Sequence, residues 1–268
     1  MKQDNSIEIY KILSKINFDS LINSGPFAVE SKFNQLGRLV YINTTPFDNE
    51  NQTQQMERYM GYVDLLSGIQ SSNKESLHTS FLNGYFNQQA AVHCPVEKER
   101  ENFFKRALSG YQTFLRLNRR FHSDAGYFAQ WQIGALQQYL EYPWPTVEGS
   151  YLKAIEYNSV RAEAIRDILL FYSSHNEWRI SYIYSLYCKN QFLGKPPSKE
   201  KWYINIPFYN WKILKYHIST LINLKKKEDA NKCLLQLASY FNLHHSTMSS
   251  EEKSEISSLK NYFEKMLR

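Results

Sequence analysis

Apolar residues recur every three or four positions along almost the whole chain, the spacing of helices that bury one face. Ile9, Ile12, Leu13, Ile16 and Leu21 predict a helix over 6–23. Val29, Phe33, Leu36, Leu39 and Val40 predict another over 28–42. After a polar loop at 43–53, Met56, Met60, Val63 and Leu66 share a face that closes at Gly68. Ser71–Glu75 reads as a loop and cap leading into a helix over 76–91. From Pro95 the pattern sharpens. Residues 97–117 form a long amphipathic helix, with Glu97, Glu99 and Glu101 crowding its first turn and Arg116 its last, both favourable to the helix dipole. Asp124 caps a helix over 125–141, and Pro145 suits the first turn of the next, 146–157. Helices over 161–174, 177–191, 207–223, 227–241 and 250–267 follow, with the longest break at 192–206. Only Val40–Ile42 and Trp202–Ile204 hint at strands.

Helices of 12–18 residues joined by short turns are the pattern of an α-solenoid. The expected fold class is therefore all-α, a tetratricopeptide-like α-solenoid of antiparallel helix pairs. The pairs recur at roughly the 34-residue step of that repeat. Ile133–Gly134 stands where the repeat places Leu-Gly, and Tyr151 with Ala154 where it places an aromatic and a small residue. Two parts are expected: residues 1–95, an irregular helical N-terminal part packed on the solenoid, and residues 96–268, the repeats with a capping helix at 250–267.

Composition narrows the function classes. Ten glycines and eight prolines among 268 residues argue against turn-rich β proteins and Gly-rich nucleotide-binding domains. Thirty-six Phe and Tyr residues argue against disorder. Cys94, Cys188 and Cys233 are far apart and form no C-x-x-C, so free buried thiols are expected, with no metal and no cofactor. The polar start and the lack of a ~20-residue apolar run predict neither secretory signal nor membrane span, and a cytoplasmic location. The Asn43 and Asn51 sequons then read as chance matches.

Three segments carry a more specific resemblance. They are Gln132–Gly134 with Trp144 and Tyr151–Tyr157, Ser159–Ala164 with its Arg-Ala-Glu, and Phe208–Leu214 with its Tyr-x-Trp. Together they resemble the tetratricopeptide-like helical domain attached to family 2 glycosyltransferases, over about residues 101–242. The resemblance implies a setting in glycan synthesis. The catalytic domain of such enzymes has no counterpart here, and the chain holds no Asp-x-Asp. Where that family carries acids around Tyr-x-Trp, this chain has Asn205, Asn210, Lys215 and Tyr216.

Candidate binding residues follow from these segments. Arg161 and Glu163 lie at a turn, where they could contact a ligand or form an internal ion pair. Trp202, Tyr203, Tyr209 and Trp211 crowd the long loop and the next helix, where aromatic faces either stack on ligands or pack helices. Trp178 and Lys212 complete the set. Residues 189–232 hold ten lysines against three acids, more than the whole net charge of +6. The lack of arginine among them makes nucleic acid an improbable partner. The expected function is a non-catalytic protein-interaction module, whose partner could be a glycosyltransferase or another glycan-synthesis component. Two alternatives stand beside it: an accessory subunit contacting a glycan acceptor, and a basic adaptor for acidic membrane or nucleic acid.

Overall fold

The computed structural model describes residues 16–39, 51–70, 77–118, 123–197 and 202–267. Among these residues all regular structure is helical. The helices are α1 (Phe18–Asn23), α2 (Pro26–Leu39), α3 (Gln52–Gln70), α4 (Leu77–His93), α5 (Glu97–Leu117), α6 (Asp124–Tyr139) and α7 (Trp144–Tyr157). Then come α8 (Glu163–Ser174), α9 (Trp178–Phe192), a π-helical turn at Phe208–Lys212 continuing into α10 (Ile213–Asn223), α11 (Lys227–His244) and α12 (Ser250–Leu267). Trp202–Ile204 is not a strand, and Val40–Ile42 lies outside the described residues.

Two compact units divide after Asn158. In the first, the most extensive packing joins α4 to α5, across the 95/96 boundary that the sequence pattern suggests. Glycine explains that closeness. A Cβ on Gly110 would stand 2.6 Å from the backbone nitrogen of Gly84, so neither helix could approach as it does with a side chain there. The Tyr111 ring lies against Gly84, where a Cβ would meet it at 2.7 Å, and the Tyr151 ring lies against Gly134 in the same way. Aromatic rings fill the remaining space: Phe33, Tyr62 and Phe86 meet edge-on or tilted, as do Phe81, Phe114 and Phe128. Edge-on pairs place a positive ring edge on a negative face, which adds to their burial.

Several polar groups thread this interior and bond to one another. The Tyr59 hydroxyl donates to Glu30 at 3.2 Å, and Tyr85 donates to the same carboxylate. The Tyr111 hydroxyl donates to Gln88 at 2.8 Å, and Gln88 donates to Gln132. Helix α6 is buried nearly all round, including Gln130 and Gln137, and Ser150 donates to Gln137 at 2.6 Å. Its N-cap is Ser123, whose Oγ accepts the Gly126 N–H at 2.9 Å, so Asp124 is the first helical residue rather than the cap. Asn51 caps α3 by a reciprocal pair: its Oδ1 accepts from Gln54 N–H at 2.9 Å, and Gln54 Oε1 accepts from Asn51 N–H at 3.0 Å. That bond is a structural use for the second sequon asparagine.

The second unit runs from Ser159 to Arg268. Each of α8 to α11 packs on the next helix in sequence. Its core joins Trp211, Leu214, Ile218 and Leu221 to Leu234, Leu237, Met248, Ile256 and Phe263. The three cysteines are free and buried. Burial pushes the Cys188 thiol far above its usual range, which keeps it protonated and unreactive. No described helix is long and apolar enough to cross a membrane.

Candidate functional site

The sequence-predicted residues fall into two groups. Arg161, Glu163, Trp202, Tyr209 and Trp211 are at most 1% exposed. Tyr203 is exposed, while Trp178 and Lys212 are half-buried.

The buried group forms one polar hub. Arg161 Nε donates to Glu163 Oε2 at 2.9 Å. Its Nη2 reaches across to the Trp202 carbonyl at 2.6 Å and the Tyr203 carbonyl at 3.3 Å. The Tyr209 hydroxyl accepts the Ala162 N–H at 2.7 Å and donates to Glu163 at 3.2 Å. Glu163 also accepts the Asn205 N–H at 3.2 Å. The guanidinium thus neutralises the carboxylate while donating to loop carbonyls, the condition under which a buried charge pair is tolerated. Burial first, then the Glu163 charge, push the Tyr209 phenol far up, so it stays protonated and keeps donating. The hub pins the end of the long break to the start of α8.

The other end of the break is held as well. Gly194 has φ +73, the left-handed conformation that ends α9, and its N–H donates to the Tyr209 carbonyl at 2.8 Å. Phe208–Lys212 follows as a π-helical turn, a local widening often found at functional sites. Lys212 lies over the Trp211 ring at 5.2 Å and pairs with Glu255 at 3.5 Å, a carboxylate that Lys215 also holds at 2.9 Å. Burial alone would raise the Glu255 carboxyl, but the two lysines outweigh it and lower it.

Beside this loop opens a cleft of about 680 Å³. One wall is Leu193, Gly194, Pro196 and Ile206 from the loop, with Asn210 from the π turn. The facing wall is Gln236, Tyr240 and His244 on α11, with Glu252 of α12 beyond them. The three α11 residues are spaced i, i+4, i+8, which stacks them in one stripe along the helix. The Tyr240 and His244 rings lie 4.6 Å apart. Burial and the Glu252 charge raise the Tyr240 phenol, opposed by a bond from Asn210. Glu252 accepts from Trp211 Nε1 at 3.4 Å and closes a capping box with Ser249 at 3.2–3.3 Å. This volume and its few polar groups on an apolar lining are typical of ligand sites. Gln236 and Tyr240 escaped the sequence reading, although their spacing with His244 was a usable signal. Among the described residues no three metal-ligating side chains converge.

Comparison with protein-family models, curated proteins and solved structures finds no match to this chain.

Proposed function

We propose that this chain is a non-catalytic interaction module of the helical-repeat kind. Its helices would stack as antiparallel pairs, and the second unit would seat a partner segment in the cleft between the 193–206 loop and α11. One observation carries the reading. The Arg161–Glu163–Tyr209 hub uses buried charge to anchor Trp202–Asn205, and residues on either side of that stretch, Pro196 and Ile206, line the cleft. A pre-anchored wall lowers the ordering entropy that binding would otherwise cost.

In this reading Arg161, Glu163, Trp202, Tyr209 and Trp211 shape the wall from behind. Gln236, Tyr240, His244 and Asn210 meet the partner, and Tyr203 lies on the exposed side of the loop. Affinity capture with quantitative mass spectrometry tests it. Wild type is compared with Gln236→Arg, which fills the cleft from an exposed position. Proteins retained by wild type are expected to fall at least tenfold with the variant. Equal recovery from both would overturn the cleft as the binding element.

One observation favours a second reading, an accessory role contacting a glycan. Tyr240 lines the cleft together with the amide and carboxylate side chains of Asn210, Gln236 and Glu252. Rings stack on sugar C–H faces, and planar polar groups bond hydroxyls. A glycan array probed with the same two proteins separates the readings. Glycan binding that Gln236→Arg abolishes, with no protein partner captured, favours the second.

A further inference from the structure

The π turn at Phe208–Lys212 moves one backbone bond. The Ile213 N–H donates to the Phe208 carbonyl, where α winding would give it the Tyr209 carbonyl. The Tyr209 carbonyl, released from Ile213, accepts the Gly194 N–H at 2.8 Å. The same residue is held through its side chain, whose hydroxyl accepts the Ala162 N–H at 2.7 Å and donates to Glu163. Tyr209 thus carries ties to two other parts of the second unit. π winding is rare and occurs in single turns, so tertiary bonds such as these have to hold it.

The competing state differs by a single exchange of partners. If the Ile213 N–H returns to the Tyr209 carbonyl, the turn rewinds as α and the Gly194 bond breaks. Gly194 is exposed, so its freed N–H meets water, and trading one hydrogen bond for another changes the free energy little. The Tyr209 hydroxyl bonds oppose the change, because rewinding rotates the residues of the turn about the helix axis. Two of those residues reach the facing wall of the cleft. Asn210 bonds Tyr240, and Trp211 Nε1 donates to Glu252 at 3.4 Å. On the near wall, Leu193, Gly194 and Pro196 line the cleft, and the Gly194–Tyr209 bond ties that stretch to the turn.

We propose that the π turn is a two-register latch on the cleft. In the wide register Gly194 is held to the turn and Asn210 to Tyr240, and the near wall is closed. In the α register both bonds are given up, Leu193–Pro196 separates from the turn, and the cleft opens on that side. The Tyr209 hydroxyl, through Ala162 and Glu163, sets the balance toward the wide register. The latch is a property of the backbone and goes beyond the interaction-module reading, which could fail with the latch intact.

Native-state amide hydrogen exchange, followed by NMR on the full chain, tests it. The Gly194 N–H is expected to exchange through a local opening that leaves the Ile213 N–H protected, about a hundredfold faster than Ile213 after correction for intrinsic rates. Tyr209→Phe should speed Gly194 by about a further tenfold and leave Ile213 slow. In that variant the scalar coupling across the Ile213 hydrogen bond should move from the carbonyl carbon of Phe208 to that of residue 209. Deleting Asn210 removes the extra residue of the turn. It should likewise expose the Gly194 amide and keep Ile213 slow, and it serves where Tyr209→Phe does not fold. Gly194 and Ile213 exchanging at one rate in the wild type would show that there is no second register and overturn the proposal. A Gly194 rate that neither variant changes would be fraying at the end of α9, and it overturns the latch as well. So does an Ile213 acceptor that stays Phe208 in Tyr209→Phe.

Discussion

Removing one partner of the Arg161–Glu163 pair leaves the other charge buried without a counter-charge, with only neutral hydrogen-bond partners. Arg161→Met and Glu163→Gln are each expected to destabilise the chain by ~3–5 kcal/mol in urea unfolding. The double variant should cost well under the sum, since it leaves no orphaned charge. A sum that is simply additive would mean the two side chains act independently. Both residues were visible in the sequence, and so was the choice between ligand contact and internal pair. What the sequence could not show was Trp202 and Tyr203 offering carbonyls 41 and 42 residues away, because backbone acceptors leave no mark on residue identity. His217 makes the second prediction at this scale. Burial first, then Lys189 and Lys226 against Asp229, hold its imidazole down at about 4. An unfolded histidine takes its proton near 6.5. Between those values the unfolded chain binds more protons, so stability is complete above pH 6.5 and falls as pH drops. The slope reaches up to ~1.4 kcal/mol per pH unit. Denaturant midpoints from pH 7 to 5 should fall for wild type and fall less for His217→Gln. Equal slopes would show that His217 is not buried in neutral form.

At the scale of helices, packing distance is set where glycine meets glycine. Gly110→Ala puts a methyl group against Gly84 backbone, which cannot rotate away, so α4 and α5 must part. A loss of ~1–3 kcal/mol is expected. Gly149→Ala is the matched control. It sits within α7 with nothing near its Cβ position, and should gain up to ~1 kcal/mol from helix propensity. Thermal melts of the two variants should therefore move in opposite directions, and a shift of the same sign in both would refute the close crossing. Most helices could be read from periodicity: Glu97–Leu117 and Ser250–Leu267 stand where the pattern puts them. The π turn could not, because 207–223 keeps a continuous helical pattern through the extra residue. Asp124 was misplaced for a related reason. Ser123 and Asp124 are both good caps, and only backbone geometry chooses between them.

Across the whole chain, net charge and available charge differ. Sequence concentrates the positive excess in 189–232, which suggests a basic surface. The structure commits much of it. Lys212 and Lys215 share Glu255, Lys226 lies on Tyr182, Lys232 pairs with Asp229, and Lys195 donates to the Asn190 carbonyl. Glu255 belongs to α12, outside the basic segment, so its compensation could not be seen by summing along the chain. A polyanion would have to compete with these contacts for those five lysines. Because each phosphate neutralised contributes about −0.9 to the slope of log K against log salt, lysines already engaged mean a shallower slope and weaker binding. A 20-base-pair DNA titrated by anisotropy is expected to show a slope no steeper than about −3 and no binding at physiological salt. The Glu255→Gln variant should raise low-salt affinity by releasing Lys212 and Lys215. A steep slope in wild type, unchanged in that variant, would mean that the lysines act together on phosphate, and the chain would then be a basic adaptor.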